Sequence, residues 1–536
     1  MLNHQTQPVD PAQAIAAGDT ALGIELGSTR VKAVLAGPSG QVWGIGAAEW
    51  DNQLVDGYWT YPLELVWDRL AACQADLAQD VAGRWGQAVT TVGAIGVSAM
   101  MHGYLVFDRQ GRQLVGFRTW RNTTAARAAA QLSAAFGRHI PQRWSVAHLY
   151  QAILDGEDHV PQIDCLTTLA GHVHQRLTGR RVLGMGDASG MFPLDLRGAW
   201  DQGCLRRFAE LAGPARPGWE LADILPQVLP AGAPAGRLTA EGAAWLDPTG
   251  GLQPGIECCP PEGDAQTGLV ATNATAPRTG SLSIGTSIFA TAVLERELVT
   301  TDEAIDVVVT PQGHPAAMAH CNNGASELNA WCRLFAQFAA AGGADQDQDK
   351  VFAILLGQAL EGAPDGGGLM AFNYLSGEPL AGLAEGRPVF LRTPGSRFEL
   401  ADFMRVQVYA ALATLRLGLD RMAAEGVEID RWTAQGGLFR TADVAQRLVA
   451  AALDRPVAVA RAAGEGGAWG MALLAQYRRL AAGGDDQALA DFLDRVFASR
   501  EVVTVAPQAA DVAGFASFLE RHGRALPVER AAVEHT

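Results

Sequence analysis

The stretch that decides the fold reads GIELGSTRVKAVL and covers residues 23–35. Two short apolar runs flank a Gly-Ser-Thr corner, which is typical of a β-hairpin in which Gly27 supplies the backbone angles of a tight turn. One carboxylate, Glu25, lies in the first run, where burial would penalise its charge. Taken alone, the segment is equally well interpreted as an edge strand with one solvated glutamate.

A second copy of this hairpin occurs far downstream. Residues 281–293 read SLSIGTSIFATAV, in which Gly285, Thr286 and Ser287 occupy the positions of the Gly-Ser-Thr corner. Small hydroxyl side chains and accessible backbone N–H groups are donors that hold phosphate oxygens. A repeat at this distance predicts a duplicated domain, and the two corners together could hold one polyphosphate.

The length of the chain predicts two large domains with a cleft between them. A chain of 536 residues exceeds the size at which a single hydrophobic core keeps growing. A Pro- and Gly-rich stretch gives way to small polar residues near Pro277, where we place the boundary. The predicted division is a flexible N-terminal tail over 1–19, a first domain over 20–276 and a second over 277–536.

Charge and cysteine content exclude several functional classes. The 41 Lys and Arg residues are outnumbered by 57 Asp and Glu residues, and the net charge of −16 argues against nucleic acid or anionic membrane as main partners. The seven cysteines form no CxxC pair and are odd in number, which suits a reducing, cytoplasmic compartment and argues against thiolate metal sites. No apolar segment approaches the length of a membrane span.

Hydrophobic periodicity predicts alternating helices and strands in both halves. In the first half we expect a strand over 41–50, a helix over 63–81 and a buried strand over 91–98. In the second half, 403–426 has helical spacing and 431–437 is typical of a strand. Both domains are therefore predicted to be α/β.

Seven motifs then occur in the order typical of one family, and the chain resembles the FGGY carbohydrate kinases, among them pentulose kinases such as xylulokinase. The motifs, in chain order, are GIELGSTRVKAVL, GVSAMMHGYLVFDRQG, RLTG followed by GDASGMFPLD, GDAQTG, SIGTS, YLSGE and QGGLFRTADVAQRL. The resemblance covers nearly the whole chain. Neither a Walker A loop nor a GxGxxG fingerprint is present, so the phosphates are not expected at a P-loop or a Rossmann turn.

The resemblance implies an α/β fold of two actin-like (ribonuclease H-like) domains with an interdomain catalytic cleft, where sugar and ATP meet. It implies an ATP-dependent kinase that phosphorylates a sugar hydroxyl, with a ketopentose such as xylulose or ribulose as the expected substrate. ATP and Mg²⁺ are the expected cofactors, a small sugar or polyol is the expected partner, and a homodimer is a further expectation.

Two carboxylates carry the chemistry that the resemblance implies. Asp264, in GDAQTG, matches the family's catalytic base, which would orient the attacking hydroxyl, accept its proton and contribute to metal binding. The alternative is an Asp that caps a helix beginning at Gln266. Glu25 stands where the family usually carries Asp and would hold Mg²⁺ through water, with oxygens displaced by one methylene.

The remaining family positions fall on small, polar and basic residues. Those matching the ATP-binding motifs are Gly27, Ser28, Thr29, Lys32, Gly285, Thr286, Ser287, Gly436 and Gly437. Lys32 could instead be a solvated strand lysine, and the last two glycines, expected at the adenosine, could form a plain turn.

Two residues match the region through which pentulose kinases hold the sugar, and a third lies in the stretch FRTWRNTTAAR, which departs from the family's usual pattern. They are Met101, which could lie on the apolar face of a sugar, His102, which could bond its hydroxyls, and Asn122, where an acidic or amide contact is expected. A histidine beside an apolar strand is also compatible with a purely structural role.

Two other functions remain open from the sequence. One is a kinase for another polyol or ketose. The other is an actin-like ATPase switch or regulator, which would keep the phosphate corners but would not need Asp264 and the sugar residues together.

Overall fold

The structure of the chain is a computed structural model that describes residues 9–195, 197–213, 218–300, 302–344, 347–440, 444–460 and 466–536. The described residues divide into two compact units. Unit 1 comprises those within Met1–Thr275, Val308–His314 and Gly464–Ser499, and unit 2 those within Ala276–Val307, Pro315–Ala463 and Arg500–Thr536. Among the described residues, no helix combines the length and hydropathy needed to span a bilayer.

The first half of the chain alternates between short strands and helices. Its strands are β1 (Ala21–Leu26), β2 (Arg30–Ala36), β3 (Val42–Glu49), β4 (Gln53–Val55), β5 (Tyr58–Thr60), β6 (Ala94–Ala99), β7 (Leu105–Phe107), β8 (Cys165–Thr167), β9 (Val182–Gly184), β10 (Gln227–Leu229), β11 (Glu257–Cys258) and β12 (Glu262–Gly263). Its helices are α1 (Pro11–Ala17), α2 (Leu63–Trp85), α3 (Ala126–Phe136), α4 (Ser145–Leu154), α5 (Leu169–Thr178), α6 (Met185–Ser189), α7 (Gln202–Ala212), α8 (Leu221–Ile224), α9 (Ala240–Leu246) and α10 (Asp264–Ala271).

The second half has longer helices. Its strands are β13 (Thr279–Ile284), β14 (Ile288–Val293), β15 (Ile305–Val309), β16 (Pro315–Cys321), β17 (Met370–Phe372), β18 (Val389–Leu391), β19 (Arg431–Gln435), β20 (Val457–Ala460) and β21 (Val502–Val505). Its helices are α11 (Ser326–Ala341), α12 (Gln348–Glu361), α13 (Leu400–Ala424), α14 (Val444–Leu453), α15 (Gly466–Ala482), α16 (Leu489–Ala498) and α17 (Ala509–His535). The α/β character predicted for both halves is confirmed.

The N-terminal segment differs from the flexible tail that we predicted over residues 1–19. Residues 1–8 lie outside the described residues, but 11–17 form α1. Asp10 caps the helix through its side chain, which accepts a hydrogen bond from the N–H of Ala12, and Gly18 ends it with a φ of +72°. The cap and stop signals were present in the sequence and explain the helix.

Unit 1 is built on a mixed sheet in the order β11-β6-β1-β2-β3, with β12 also paired to β6. The hairpin predicted over 23–35 is formed by β1 and β2, which place Glu25 directly opposite Lys32. Strand β6 runs parallel to β1, and β12 runs parallel to β6. The carboxyl ends of these three strands therefore meet at one edge of the sheet.

Unit 2 repeats this arrangement. Strands β13 and β14 form the second hairpin, and β19 runs parallel to β13. The order β16-β14-β13-β19 within its seven-stranded sheet corresponds to β3-β2-β1-β6 in unit 1. The duplication predicted from the two corners thus extends to the strands that flank them.

Helix α15 packs against the sheet of unit 1, although it follows most of unit 2 in the chain. The division predicted from the sequence assigns residues 466–499 to the second domain, whereas their contacts place them in unit 1. Small residues allow the close approach: a Cβ on Gly470 would lie 2.0 Å from the carbonyl oxygen of Thr267 in α10, and one on Gly23 would lie 2.2 Å from that of Ala468. Periodicity alone could not assign this helix to a unit.

The glycine contacts of α15 lead to a stability prediction. Gly470→Ala should destabilise unit 1 by about 1–3 kcal/mol, because the backbone oxygen that the new methyl group meets cannot rotate away. Gly83→Ala is the matched control, since Gly83 lies inside α2 and a Cβ there has no neighbour within 4 Å. It should stabilise the chain by about 0.4–1 kcal/mol. Urea midpoints measured by circular dichroism compare the two, and equal midpoints would contradict this packing.

Candidate active site

Asp264 is held at the junction of a strand and a helix. It is the first residue of α10, so the helix begins two residues before Gln266 and Gly263, rather than Asp264, occupies the cap position. The Oδ1 atom of Asp264 accepts hydrogen bonds from the backbone N–H groups of Met101 (3.3 Å) and Ala265 (2.9 Å). The side chain is half-buried. This geometry links α10 to the loop after β6 and differs from that of a helix cap.

The surroundings of Asp264 favour its protonated form more than water does. Burial raises its pKa to about 6, and the backbone hydrogen bonds from Met101 and Ala265 act in the opposite direction. A carboxylate with this pKa is ionised at neutral pH and close enough to it to accept a proton efficiently. Asp264 therefore has the protonation behaviour of a general base.

His102 lies in the same loop, next to Met101. It is 5% exposed and has a φ of +69°, a left-handed conformation unusual for a residue with a side chain. Its Nδ1 atom lies 2.9 Å from the carbonyl oxygen of Gly190, and a Cβ on Gly190 would come within 2.7 Å of that nitrogen. A glycine is therefore needed at 190 for the histidine to approach.

The protonation state of His102 follows from this contact. A carbonyl oxygen only accepts, so Nδ1 carries the proton and Nε2 is left as an acceptor. Burial, followed by the charge of Arg143, lowers the pKa of His102 to about 3. The imidazole is therefore neutral at physiological pH, and its Nε2 atom can accept a hydrogen bond.

Asn122 has a different environment. It is 3% exposed, and its side-chain amide bonds the backbone of Trp59 in both directions at 2.8 Å and also donates to the carbonyl of Thr119 at 3.0 Å. These contacts anchor the loop of residues 119–122 to β5. The structure does not bring Asn122 into contact with Met101, His102 or Asp264 through any of these bonds, and its role toward a sugar stays a prediction.

Two further carboxyls, which the sequence did not single out, are buried in unit 1. Asp187 accepts a hydrogen bond of 2.6 Å from the hydroxyl of Thr168, and Glu262 accepts one of 2.9 Å from the N–H of Asp187. Burial raises the pKa of Asp187 to about 7 and that of Glu262 to about 8, and Asp264 adds to the shift of Asp187. The turn-forming sequence GDASG gave no signal of this burial.

In the first corner, residues 27–29, two backbone carbonyl groups accept hydrogen bonds from aromatic side chains. Trp50 Nε1 donates to the carbonyl of Gly27 at 2.7 Å, and the hydroxyl of Tyr61 donates to that of Ser28 at 2.6 Å. In a trans peptide the N–H points opposite to the C=O of the same plane. The N–H groups of Ser28 and Thr29 are therefore directed away from the two aromatic side chains, as donors for an anion would be.

A cavity adjoins this corner within unit 1. Its volume is about 460 Å³, and it brings together four of the residues predicted for ATP and metal binding. Its lining consists of Glu25, Gly27, Thr29, Arg30, Lys32, Glu49, Trp50 and Asp51. Two cations thus face three carboxylates around one opening, and one of the cations, Arg30, is paired with Glu49 at 3.0 Å.

The second corner is held in a similar way in unit 2. The N–H groups of Gly324 and Ala325 donate to the carbonyls of Thr286 and Gly285 at 2.7 and 2.8 Å. Beside it, Gly436 has a φ of +109°, and a Cβ there would lie 2.4 Å from the carbonyl oxygen of Ile284. The backbone conformation and the close contact at residue 436 thus require a glycine. Gly437 begins the 3₁₀ turn Gly437–Arg440.

The metal site was predicted at Glu25 and Asp264. Within the described part of the chain, no three His, Cys, Asp or Glu residues cluster so as to hold a metal ion. Mg²⁺ at ATP sites is usually bound by one or two carboxylates together with phosphate and water. Glu25, on the wall of the cavity, offers one such carboxylate, so the donor set of unit 1 is compatible with that mode.

The buried carboxyls predict how stability depends on pH. Asp187, Glu262 and Asp264 hold protons in the folded chain at pH values at which the unfolded chain, with pKa values of 3.8 for Asp and 4.5 for Glu, has released them. Their contribution to folding is full below those values, falls progressively as pH rises above them, and is lost once pH has passed the folded pKa values of about 6 to 8. Asp187→Asn should flatten the fall of the urea midpoint over this range. Asp223→Asn, at an exposed carboxyl, should leave the slope unchanged. Equal slopes in both variants would contradict the prediction.

Comparisons with known proteins agree with the fold. No curated protein matched the sequence. The fold is similar to a xyloylose kinase from Brucella ovis, with a TM-score of 0.76, 20% identity and coverage of 95% of this chain and 99% of the other. It is similar to a xylulose kinase from Lactobacillus acidophilus, with a TM-score of 0.76, 17% identity and coverage of 96% and 99%. A gluconate kinase from the same organism gives a TM-score of 0.77, 18% identity and coverage of 96% and 99%.

Family models match both halves of the chain. The N-terminal domain of the FGGY family of carbohydrate kinases matches residues 20–271, and the C-terminal domain of the same family matches residues 280–478. The resemblance seen in the sequence motifs is confirmed, as is the two-domain α/β fold of the actin-like type. The chain belongs to the FGGY family of carbohydrate kinases, which are ATP-dependent phosphotransferases.

Proposed function

We propose that the protein transfers the γ-phosphate of ATP to a hydroxyl of a ketopentose such as xylulose or ribulose, with Asp264 as the base. The observation that carries this proposal is the half-buried carboxylate of Asp264, fixed by the N–H of Met101 beside a neutral His102. A rigid base next to an acceptor for hydroxyl protons is the arrangement that sugar phosphorylation requires.

Asp264 would act on the attacking hydroxyl through Oδ2. The hydrogen bonds from Met101 and Ala265 both use Oδ1, so Oδ2 would receive the proton as the hydroxyl oxygen bonds to the γ-phosphorus and the bond from that phosphorus to the oxygen of the leaving ADP breaks. Because the two N–H donors fix the carboxylate plane, Oδ2 needs no reorganisation when the substrate arrives.

His102 would orient the sugar. Its Nε2 atom can accept a hydrogen bond from one sugar hydroxyl, and the adjacent Met101 offers an apolar surface to the carbon skeleton. Asn122 would contribute indirectly, by anchoring residues 119–122.

The two corners would bind the phosphates. Ser28, Thr29 and Lys32 would contact them from unit 1, and residues 285–287 from unit 2, while Gly436 and Gly437 would approach the adenosine. Mg²⁺, held through water by Glu25 and with a contribution from Asp264, would supply positive charge to the transferring phosphoryl group. A homodimer and a cytoplasmic location stay predictions.

Asp264→Asn tests the base. An amide cannot take the hydroxyl proton, so kcat for sugar phosphorylation should fall by roughly two to four orders of magnitude. The affinity for ADP, measured by isothermal titration calorimetry, should stay close to that of the wild type. Near-normal turnover in this variant would remove Asp264 from the role of base.

His102→Asn tests the sugar contact without straining the chain, because Asn tolerates the left-handed conformation of this residue. Losing the acceptor should cost about 0.5–1.5 kcal/mol in binding and more if the reacting hydroxyl moves, so kcat/KM for the sugar should fall roughly ten-fold or more. The KM for ATP should stay unchanged. A lower melting temperature with normal sugar kinetics would instead identify His102 as structural.

A further inference from the structure

The motif YLSGE, at residues 374–378 in unit 2, has no part in the function proposed above. It follows β17 and is bonded to the loop of residues 322–325, which connects β16 to α11 and which we call the strap. The strap is the same loop that donates to the second phosphate corner. YLSGE thus binds the strap, and the strap in turn binds the second corner.

The strap fixes the direction of two N–H groups. Its residues Gly324 and Ala325 bind the carbonyls of Thr286 and Gly285. Since each peptide is planar and trans, holding these carbonyls also directs the N–H groups of Thr286 and Ser287 away from the strap. A Cβ on Gly324 would lie 2.5 Å from the carbonyl oxygen of Gly285, so the approach depends on a glycine.

Asn323 connects the strap to YLSGE. Its Oδ1 atom accepts hydrogen bonds from the N–H groups of Leu375 and Ser376 at 2.9 and 3.0 Å. Its Nδ2 group donates to the carbonyl of Ser376 at 3.2 Å and to Glu378 Oε2 at 3.0 Å. The side chain is 4% exposed, so every bond lost here would leave a buried polar group.

Glu378 and Asn373 complete the support. Glu378 is fully buried, and its Oε2 atom also accepts from the backbone N–H of Asn323 at 3.2 Å. Asn373 donates to the carbonyls of Asn323 and Gly324 at 2.9 and 3.0 Å. Burying a carboxylate is costly, and a network of this density behind an exposed corner restricts the strap to one position.

We propose that Asn323 and Glu378 are positioning residues that hold the strap and thereby aim the N–H groups of Thr286 and Ser287 at the β- and γ-phosphates of ATP. The proposal rests on the proposed function, because it assumes that the second corner binds ATP. Donors fixed before binding avoid the cost of ordering them when the nucleotide arrives. Loss of the support should therefore weaken phosphate binding and spare the adenosine.

The test compares ADP with AMP, which lacks the β-phosphate, by isothermal titration calorimetry with Mg²⁺ and no sugar. Asn323→Ala should raise the Kd of ADP about ten-fold while that of AMP changes less than about two-fold. Glu378→Gln, which keeps one acceptor oxygen and the side-chain volume, should give a smaller rise for ADP. Gln446→Ala is the control, because Gln446 is 4% exposed and bonds the carbonyls of Val457 and Val503, in the strands β20 and β21 at the other edge of the sheet.

A selective loss of ADP affinity in Asn323→Ala and Glu378→Gln, absent from Gln446→Ala, supports the positioning role. Equal losses for ADP and AMP, or a lower melting temperature with unchanged ADP affinity, would overturn it. If Asn323→Ala does not fold, Gly324→Ala and Glu378→Gln are compared instead. The new methyl group of Gly324→Ala displaces the strap relative to the corner without removing a side-chain hydrogen bond. Wild-type protein that binds no ADP would overturn the proposed function as well, whereas ADP binding insensitive to all variants would overturn the positioning role alone.

Discussion

In each unit, one strand runs parallel to the first strand of the hairpin, and the rest of the site depends on this pairing. In unit 1, β1, β6 and β12 run in one direction, so the residues that follow them lie at one edge of the sheet. Glu25, Met101 and Asp264 owe their grouping to this rule. In unit 2, the parallel pair β13 and β19 places Gly436 against the corner after β13. One strand arrangement, used twice, thus positions the corner of each unit.

Burial sets the protonation of the groups that this arrangement collects. The same desolvation that raises the pKa of Asp264 to about 6 lowers that of His102 to about 3. Asp264 is therefore ionised at neutral pH with a pKa close to it, as a base would require, and His102 is neutral and can accept a hydrogen bond. The buried Asp187 and Glu262 reduce the stability of unit 1 at neutral pH, a cost that proteins tolerate mainly near functional sites.

The sequence predicted what is local and missed what depends on tertiary contacts. The hairpin over 23–35, the repeated corner and the helix from residue 63 could be predicted because turn residues and periodicity determine them. Three features could not: the return of α15 to unit 1, the anchoring of Asn122 on Trp59, and the carbonyl of Gly190 that fixes the tautomer of His102. Each depends on a partner distant in the chain, and no pattern within one segment identifies it.

As a carbohydrate kinase, the protein moves a phosphoryl group from ATP to a sugar. The most direct measurement is the stoichiometry of products, followed by ³¹P nuclear magnetic resonance, when wild-type protein is incubated with MgATP and xylulose, ribulose, gluconate or glycerol in turn. We expect a ketopentose to give one sugar phosphate for each ADP formed, with little inorganic phosphate. ADP and inorganic phosphate released together at a rate that no sugar changes would contradict it.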